Sequence, residues 1–405
     1  ILLRADAPAL GYRIHRLPAD LEASGDVRAV NGDDGTIIIE NEFLTATIGA
    51  EGGLLSLLDR NNGGAEILAG PANTIDIFSD DGNLHRFGYE LDYRTHGDAF
   101  RANELRVVAV ERARIVERGP LRARIEATVR IGSDAATARY RFVYILIAGE
   151  PFLRMETTGS AAAGSTVLAR FPLRGEIDRI EHGTPYHWDH RKPGRFGNQP
   201  GFDGTFEATH DVVIARSNGA PLGAIYHAGV PAWCASGNQL IGALLRNTPG
   251  AGPEAGSATG SDSGEHTLAY AIRVPSGIHS PETGAQLREA RGYAVPLEGR
   301  IVGPAPAGNL PEEFSLASVS SPAIITVAKA GRVRDLILRI YQPTNGAPDL
   351  TLTAGTAATS AQFLTALESP LAADRLAAMN SRFSAGTLDF TATRALTTIA
   401  LRHEQ

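Results

Sequence analysis

The densest gathering of reactive side chains in this sequence is the run Tyr186, His187, Trp188, Asp189, His190 and Arg191, with Arg195, Phe196 and Asp203 following shortly after. Imidazole nitrogen and carboxylate oxygen are suitable zinc ligands, and the rings of Tyr186 and Trp188 could stack on a sugar. His-x-Asp-His is not a defined metal spacing, so no metal ligand is assigned. A loop packed against a sheet also uses such residues for local hydrogen bonds, and at the level of sequence both uses stay open. The candidates for contact with a substrate are Tyr186, His187, Trp188, Asp189, His190, Arg195 and Asp203, and none is assigned a catalytic role. The stretch from Glu181 to Thr209 around them is rich in Gly, Pro, His and aromatics and follows neither the helical nor the strand period, which predicts a long loop. Loops beyond about 15 residues without regular structure are uncommon and often functional.

Other constellations are weaker. Retaining glycoside hydrolysis needs two carboxyls about 5 Å apart, but spacing along a chain does not show which carboxylates converge. Asp80 and Asp81 are adjacent on an expected turn, where such residues usually satisfy backbone amides. His85 and Arg86, close by, read most plainly as surface residues paired with them. Glu265 and His266 fall on opposite faces of an expected strand and so cannot enter one pocket. Cys234 has no base beside it in sequence and is expected to be a buried structural thiol. The glycines of "GAEGGL" open a strand, and neither a phosphate loop nor a dinucleotide fingerprint is present.

Composition narrows the classes further. At 405 residues the chain exceeds the size of one ordinary core, which favours two or three domains. Its 43% hydrophobic and 20% charged residues are those of a globular protein. The net charge of -7 is modest and arginine is scattered among Asp and Glu, so no phosphate-tracking surface is visible and nucleic acid is not an expected partner. The longest apolar runs, such as "FVYILIA" from Phe142, are far shorter than the roughly 20 residues of a spanning helix, so no membrane partner is expected. One cysteine leaves the compartment undecided. The first residues, "ILLRADAPALGYRIHRLP", show no initiating Met and no signal peptide, and read as a cut edge within a longer polypeptide.

The elements that must position these residues are strands. In "IIIENEFLTATIGAEGGLLSLLDRNNG", Leu44, Ala46 and Ile48 alternate with Thr45 and Thr47, the period of a half-buried strand; Gly49, Gly52 and Gly53 then supply a turn, and the whole reads as a meander. Leu121, Ala123, Ile125, Ala127, Val129 and Ile131 alternate with Arg122, Arg124, Glu126, Thr128 and Arg130, predicting a strand with one wet face. Asn218 and Gly219 mark a hairpin, residues 249–264 a low-complexity excursion, "GAQLREARG" a short helix, and "VPLEGRIVGPAPAGNLPEE" a linker. Short strands separated by turns follow it, as in a small β-sandwich.

Several phrases, in order, carry a family resemblance. "PALGYRIHRL"; the meander with Glu40, Asn41, Glu42, Phe43 and the Gly52–Gly53 turn; "LGAIYHAGVPAWCASGNQLIGALLRNTP"; "GEHTLAYAIRVP"; and "DLILRIYQPTNG" together resemble the C-terminal β region of glycoside hydrolase family 38 α-mannosidases. The resemblance implies an all-β chain: a lead-in over 1–35, a large antiparallel supersandwich of the galactose-mutarotase-like kind over 36–298, and a smaller β-sandwich over 299–405. It also implies that zinc and the aspartate nucleophile of the full-length enzyme belong to a catalytic barrel and helical segment outside this chain, so no catalytic residue and no cofactor is carried over. The loop candidates would then face α-mannosides or that barrel. Where the family often has a Trp-Asp-rich phrase, this chain has "DDGNLHRFGYELDY". Two other readings stand beside this one: a free-standing carbohydrate-binding module, and a supersandwich epimerase or lyase working with a His and a Glu or Tyr.

Overall fold

The structure is a computed structural model and describes residues 5–16, 24–79, 106–132, 137–193, 206–247, 262–279, 284–303, 308, 310–331 and 335–403. Asp80, Asp81, His85, Arg86, Arg195 and Asp203 therefore lie outside the described residues. Within them the chain is all-β, every strand pairing antiparallel, as its alternating apolar pattern predicts.

A short strand β1 (Gly11–Arg13) comes first. The meander follows as one sheet of β2 (Arg28–Asn31), β3 (Ile37–Glu40), β4 (Leu44–Ile48), β5 (Leu54–Asp59) and β6 (Ala65–Glu66), in that order. Alternation works as expected: Ile37, Ile39, Leu44, Ala46 and Ile48 are buried, while Thr45 and Thr47 on the other face are only partly covered. The turn into β5 requires glycine. Gly52 sits at φ +82°, and a Cβ there would come within 2.7 Å of Ala127 Cβ.

The next fourteen strands make two larger sheets. They are β7 (Thr74–Ser79), β8 (Arg106–Arg118), β9 (Arg122–Gly132), β10 (Thr137–Ile147), β11 (Phe152–Ser160), β12 (Ser165–Pro172), β13 (Arg179–Thr184), β14 (His187–Arg191), β15 (Glu207–Ala208), β16 (Val212–Ser217), β17 (Ala220–Ala228), β18 (Ala232–Ser236), β19 (Gln239–Asn247) and β20 (Glu265–Arg273). Nine of them run β14-β13-β16-β17-β20-β11-β10-β9-β8, and five run β15-β18-β19-β12-β7. One buried cluster draws side chains from the meander and from both of these sheets, with Ile39, Ile125, Tyr144, Phe171, Trp233 and Tyr270 among them. The nine-stranded sheet thus turns its inner face to the core.

Its outer face carries a second apolar patch of Phe152, Val212, Ile214, Ala224, Tyr226 and Ala271, roofed by the helix α1 (Ala285–Ala294) through Ala290 and Tyr293. This is the short helix that "GAQLREARG" predicts. Polar ties fix it: Tyr226 OH donates to Glu289 Oε1 over 2.9 Å, and Arg273 Nε to the same oxygen over 3.0 Å.

Beyond α1, residues 296–303 form no helix or strand. Then come β21 (Glu313–Ser315), β22 (Ala317–Val319), β23 (Ile324–Ala330), β24 (Leu336–Tyr341), β25 (Asp349–Ala354), β26 (Ala358–Leu364), the short helix α2 (Ala373–Ala377), β27 (Arg382–Ser384), β28 (Thr387–Thr391) and β29 (Leu396–His403). Two four-stranded sheets, β22-β25-β28-β27 and β23-β24-β29-β26, enclose their own core around Leu338, Leu352, Phe363, Phe390 and Ile399. β1 pairs with β21 across this distance in sequence. The edge that the sequence places at residue 36 falls between β2 and β3, which are hydrogen-bonded neighbours.

Candidate functional site

Within the loop expected over Glu181 to Thr209, the described residues up to Arg191 form a β-hairpin. β13 and β14 pair in the register Ile180 with Arg191, Glu181 with His190, His182 with Asp189, Gly183 with Trp188 and Thr184 with His187. Pro185 and Tyr186 form the turn, with Tyr186 at φ +59°, a left-handed conformation uncommon for a non-glycine residue. The sequence misleads here because β14 is an edge strand, half exposed, with polar and aromatic residues on both faces; no apolar alternation marks it.

The hairpin disperses the predicted cluster. Successive strand residues point to opposite faces, so Trp188 and His190 lie on the outer face and His187, Asp189 and Arg191 on the other. Trp188 packs on the apolar patch beneath α1. His190 is exposed opposite Glu181, a buried carboxylate held by Arg216 Nε at 2.6 Å and an Arg179 nitrogen at 2.9 Å. Asp189 Oδ1 accepts the His190 amide over 2.8 Å, and its other oxygen lies 3.2 Å from Arg191. Burial pushes the Asp189 carboxyl up, but that amide and the Arg191, His182 and His187 charges outweigh it, so its pKa lies below the ordinary value. Asp189 therefore serves its own strand. Among the described residues, no three His, Cys, Asp or Glu side chains come together as a metal centre would need. The dispersed side chains of the hairpin do not fit zinc.

Of the sequence candidates that lie among the described residues, only Tyr186 lines the cleft of about 220 Å3 that opens where the β13–β14 turn, the turn before β16, α1 and the small sandwich meet. Its lining includes Tyr186, His210 and Asp211, Arg291 of α1, and Thr326 and Tyr341 of the small sandwich. The hairpin can approach the 210–211 turn because residue 183 is glycine: a Cβ there would lie 2.4 Å from the His210 carbonyl oxygen, and the His210 amide donates to the Gly183 carbonyl over 2.7 Å.

Asp211 is the buried polar element of this cleft, 7% exposed and held at φ +68°. His210 Nδ1 lies 3.0 Å and Arg291 Nε 3.1 Å from its Oδ2, ion-pair distances without the alignment of hydrogen bonds. The Tyr186 and Tyr341 rings meet edge to face with centroids 6.1 Å apart. Burial pushes the Tyr341 hydroxyl up to about 12, so it stays protonated and able to donate. The cleft thus offers a carboxylate acceptor, a guanidinium fork, an imidazole and two aromatic rings.

The sequence gives no sign of this convergence, because residues 186, 210, 291 and 341 are brought together only by packing across elements. The adjacency of His210 and Asp211 at the head of the "DVVIARS" strand is the one local signal. Cys234, as expected, is buried beside Leu168 and Ile241.

No protein-family model matches the sequence, and no curated protein matches it significantly. Solved structures do. An α-mannosidase from Enterococcus faecalis V583 is similar over 94% of this chain and 43% of its own, with a TM-score of 0.69 at 15% identity. A glycosyl hydrolase family 38 protein from Enterococcus faecalis is similar over 94% of this chain and 45% of its own, with a TM-score of 0.68 at 14% identity. The likeness is one of fold. The chain spans less than half the length of either.

Proposed function

We propose that this chain is the β-rich, non-catalytic portion of a glycoside hydrolase family 38 type α-mannosidase. On this reading it is a scaffold that lends a surface to a zinc-dependent catalytic barrel borne elsewhere on the same polypeptide, with α-mannosides as substrates of the whole enzyme. The observation that carries the reading is the coverage: nearly all of this chain matches two such structures, while each of them is more than twice as long as the matched portion. The dispersal of His187, Trp188, Asp189 and His190 over two faces of an edge strand agrees with a structural role for the hairpin.

The test has two arms. The purified 405-residue chain, supplied with zinc and an aryl α-mannoside, is expected to show no turnover. In extracts of the source cells, antibody to the chain is expected to detect a polypeptide more than twice as long, co-eluting with α-mannosidase activity. Zinc-dependent turnover by the chain alone, or a native species of 42.8 kDa eluting apart from all mannosidase activity, overturns the proposal.

A further inference from the structure

We infer that the cleft between the hairpin turn, α1 and the small sandwich is a binding site for one neutral pyranoside ring, with Tyr186 as its stacking wall and Asp211 and Arg291 as its hydroxyl-binding pair. Space is the first argument. Protein interiors and seams are close-packed, yet about 220 Å3 stays open here. At roughly 30 Å3 per water that is room for about seven waters, which suits a single sugar ring, and it lies below the roughly 300 Å3 where drug-sized sites begin.

Chemistry is the second. The Asp211 carboxylate is matched by the Arg291 guanidinium 3.1 Å away, so the charges of this pair cancel, which disfavours a phosphate or a carboxylate. A carboxylate beside a guanidinium presents acceptors and donors side by side, the arrangement that two neighbouring sugar hydroxyls satisfy, each hydroxyl being donor and acceptor at once. Arg291 is 37% exposed at its side chain, leaving nitrogens free to turn to a ligand, whereas Asp211 is fixed. The Tyr186 ring, 39% exposed, offers an apolar face to the C–H side of a pyranose, and Tyr341 braces that ring edge to face.

Strain is the third. Tyr186 and Asp211, both non-glycine, hold left-handed backbone at φ +59° and +68° on two sides of the same opening. Such strain gathers where a site requires a fixed geometry.

The pyranoside class is argued from the cleft alone; the choice of a mannoside as first probe rests on the α-mannosidase reading. The full chain is titrated calorimetrically with methyl α-mannopyranoside, methyl α-glucopyranoside, methyl α-galactopyranoside and inorganic phosphate. A saturable heat is expected for the mannoside, with a Kd on the order of 1 mM, the strength a ligand of this size reaches at ordinary efficiency. Tyr186→Ala and Arg291→Lys should each weaken it about tenfold, the latter because an ammonium keeps the charge beside Asp211 but loses the fork. Tyr186→Phe, which keeps the ring and guards against a folding artefact, should stay within about twofold, and His190→Ala, outside the cleft, should change nothing. Binding of the glucoside or galactoside but not the mannoside would keep the site and count against the α-mannosidase reading. No saturable heat from any of the three sugars, binding that both Tyr186→Ala and Arg291→Lys leave intact, or phosphate binding more tightly than the sugars overturns the inference.

Discussion

Asn41 lies in the meander, between β3 and β4, and its side chain is wholly occupied by backbone. Its Nδ2 donates to the Ile147 and Glu150 carbonyls over 3.0 and 2.9 Å, and its Oδ1 accepts the Phe43 and Leu44 amides over 2.9 and 3.0 Å. It thereby ties the meander to the turn between β10 and β11. His227 shows the same use of a reactive residue for structure. It is 3% exposed, its Nε2 lies 2.9 Å from Thr209 Oγ1, and its ring stacks on Trp233 with centroids 6.2 Å apart. Burial first, and the nearby His210 second, lower its pKa from 6.5 to about 4. The unfolded chain therefore binds the proton more readily than the folded one. Stability is full above about pH 6.5, falls as the pH drops from there through about 4, and is constant for this group below that; the loss is about 3 kcal/mol. Urea unfolding between pH 7 and pH 4 should show it, and His227→Gln should flatten that slope.

At the scale of elements, β18 and β19 show how a glycine inside a strand can be a packing requirement. Trp233 is fully buried, with its Nε1 donating to the Val230 carbonyl over 2.7 Å. Its ring lies directly over Gly242 of the neighbouring strand, where an added Cβ would come within 2.7 Å of the ring edge. Neither side can move, because Trp233 also packs against Phe171 and Tyr270. Gly242→Ala is expected to destabilise by about 2 kcal/mol, as overpacked cores do, seen as a lower urea midpoint with an unchanged slope. Gly242→Ala paired with Trp233→Phe should recover part of that loss, since the smaller ring vacates the contested space.

Across the whole molecule, the apolar side chains gather into separate clusters. The largest lies between the nine-stranded sheet and its two five-stranded partners, and another fills the small sandwich. They meet through α1, where Arg288 donates to Ser321 Oγ over 3.0 Å and to the Ala323 carbonyl over 2.6 Å, and through the Tyr186–Tyr341 contact. Among the described residues these ties are small beside two full cores, so calorimetry should resolve two unfolding transitions. Phe390→Ala, which empties a site 2% exposed in the small sandwich, costs about 4 kcal/mol. It should lower one transition and leave the other in place. A single transition moved as a whole would show that the two cores unfold together.

The sequence by itself determined the strands of the meander, the buried face of β9, the hairpin at Asn218 and Gly219, the helix α1 and the all-β class. Each of these is written in a local period or a turn residue, since a strand that buries one face must alternate and a left-handed turn must find a glycine or asparagine. Tertiary structure alone decided the fate of the reactive residues. His187, Trp188, Asp189 and His190 are neighbours in sequence and are parted by the strand they occupy, because adjacent side chains on a strand cannot share a face. Tyr186, Asp211, Arg291 and Tyr341 are far apart in sequence and meet because a hairpin, a turn, a helix and a second sandwich pack at one place. Periodicity records which face of an element is buried; it holds no record of which buried or half-buried faces will meet.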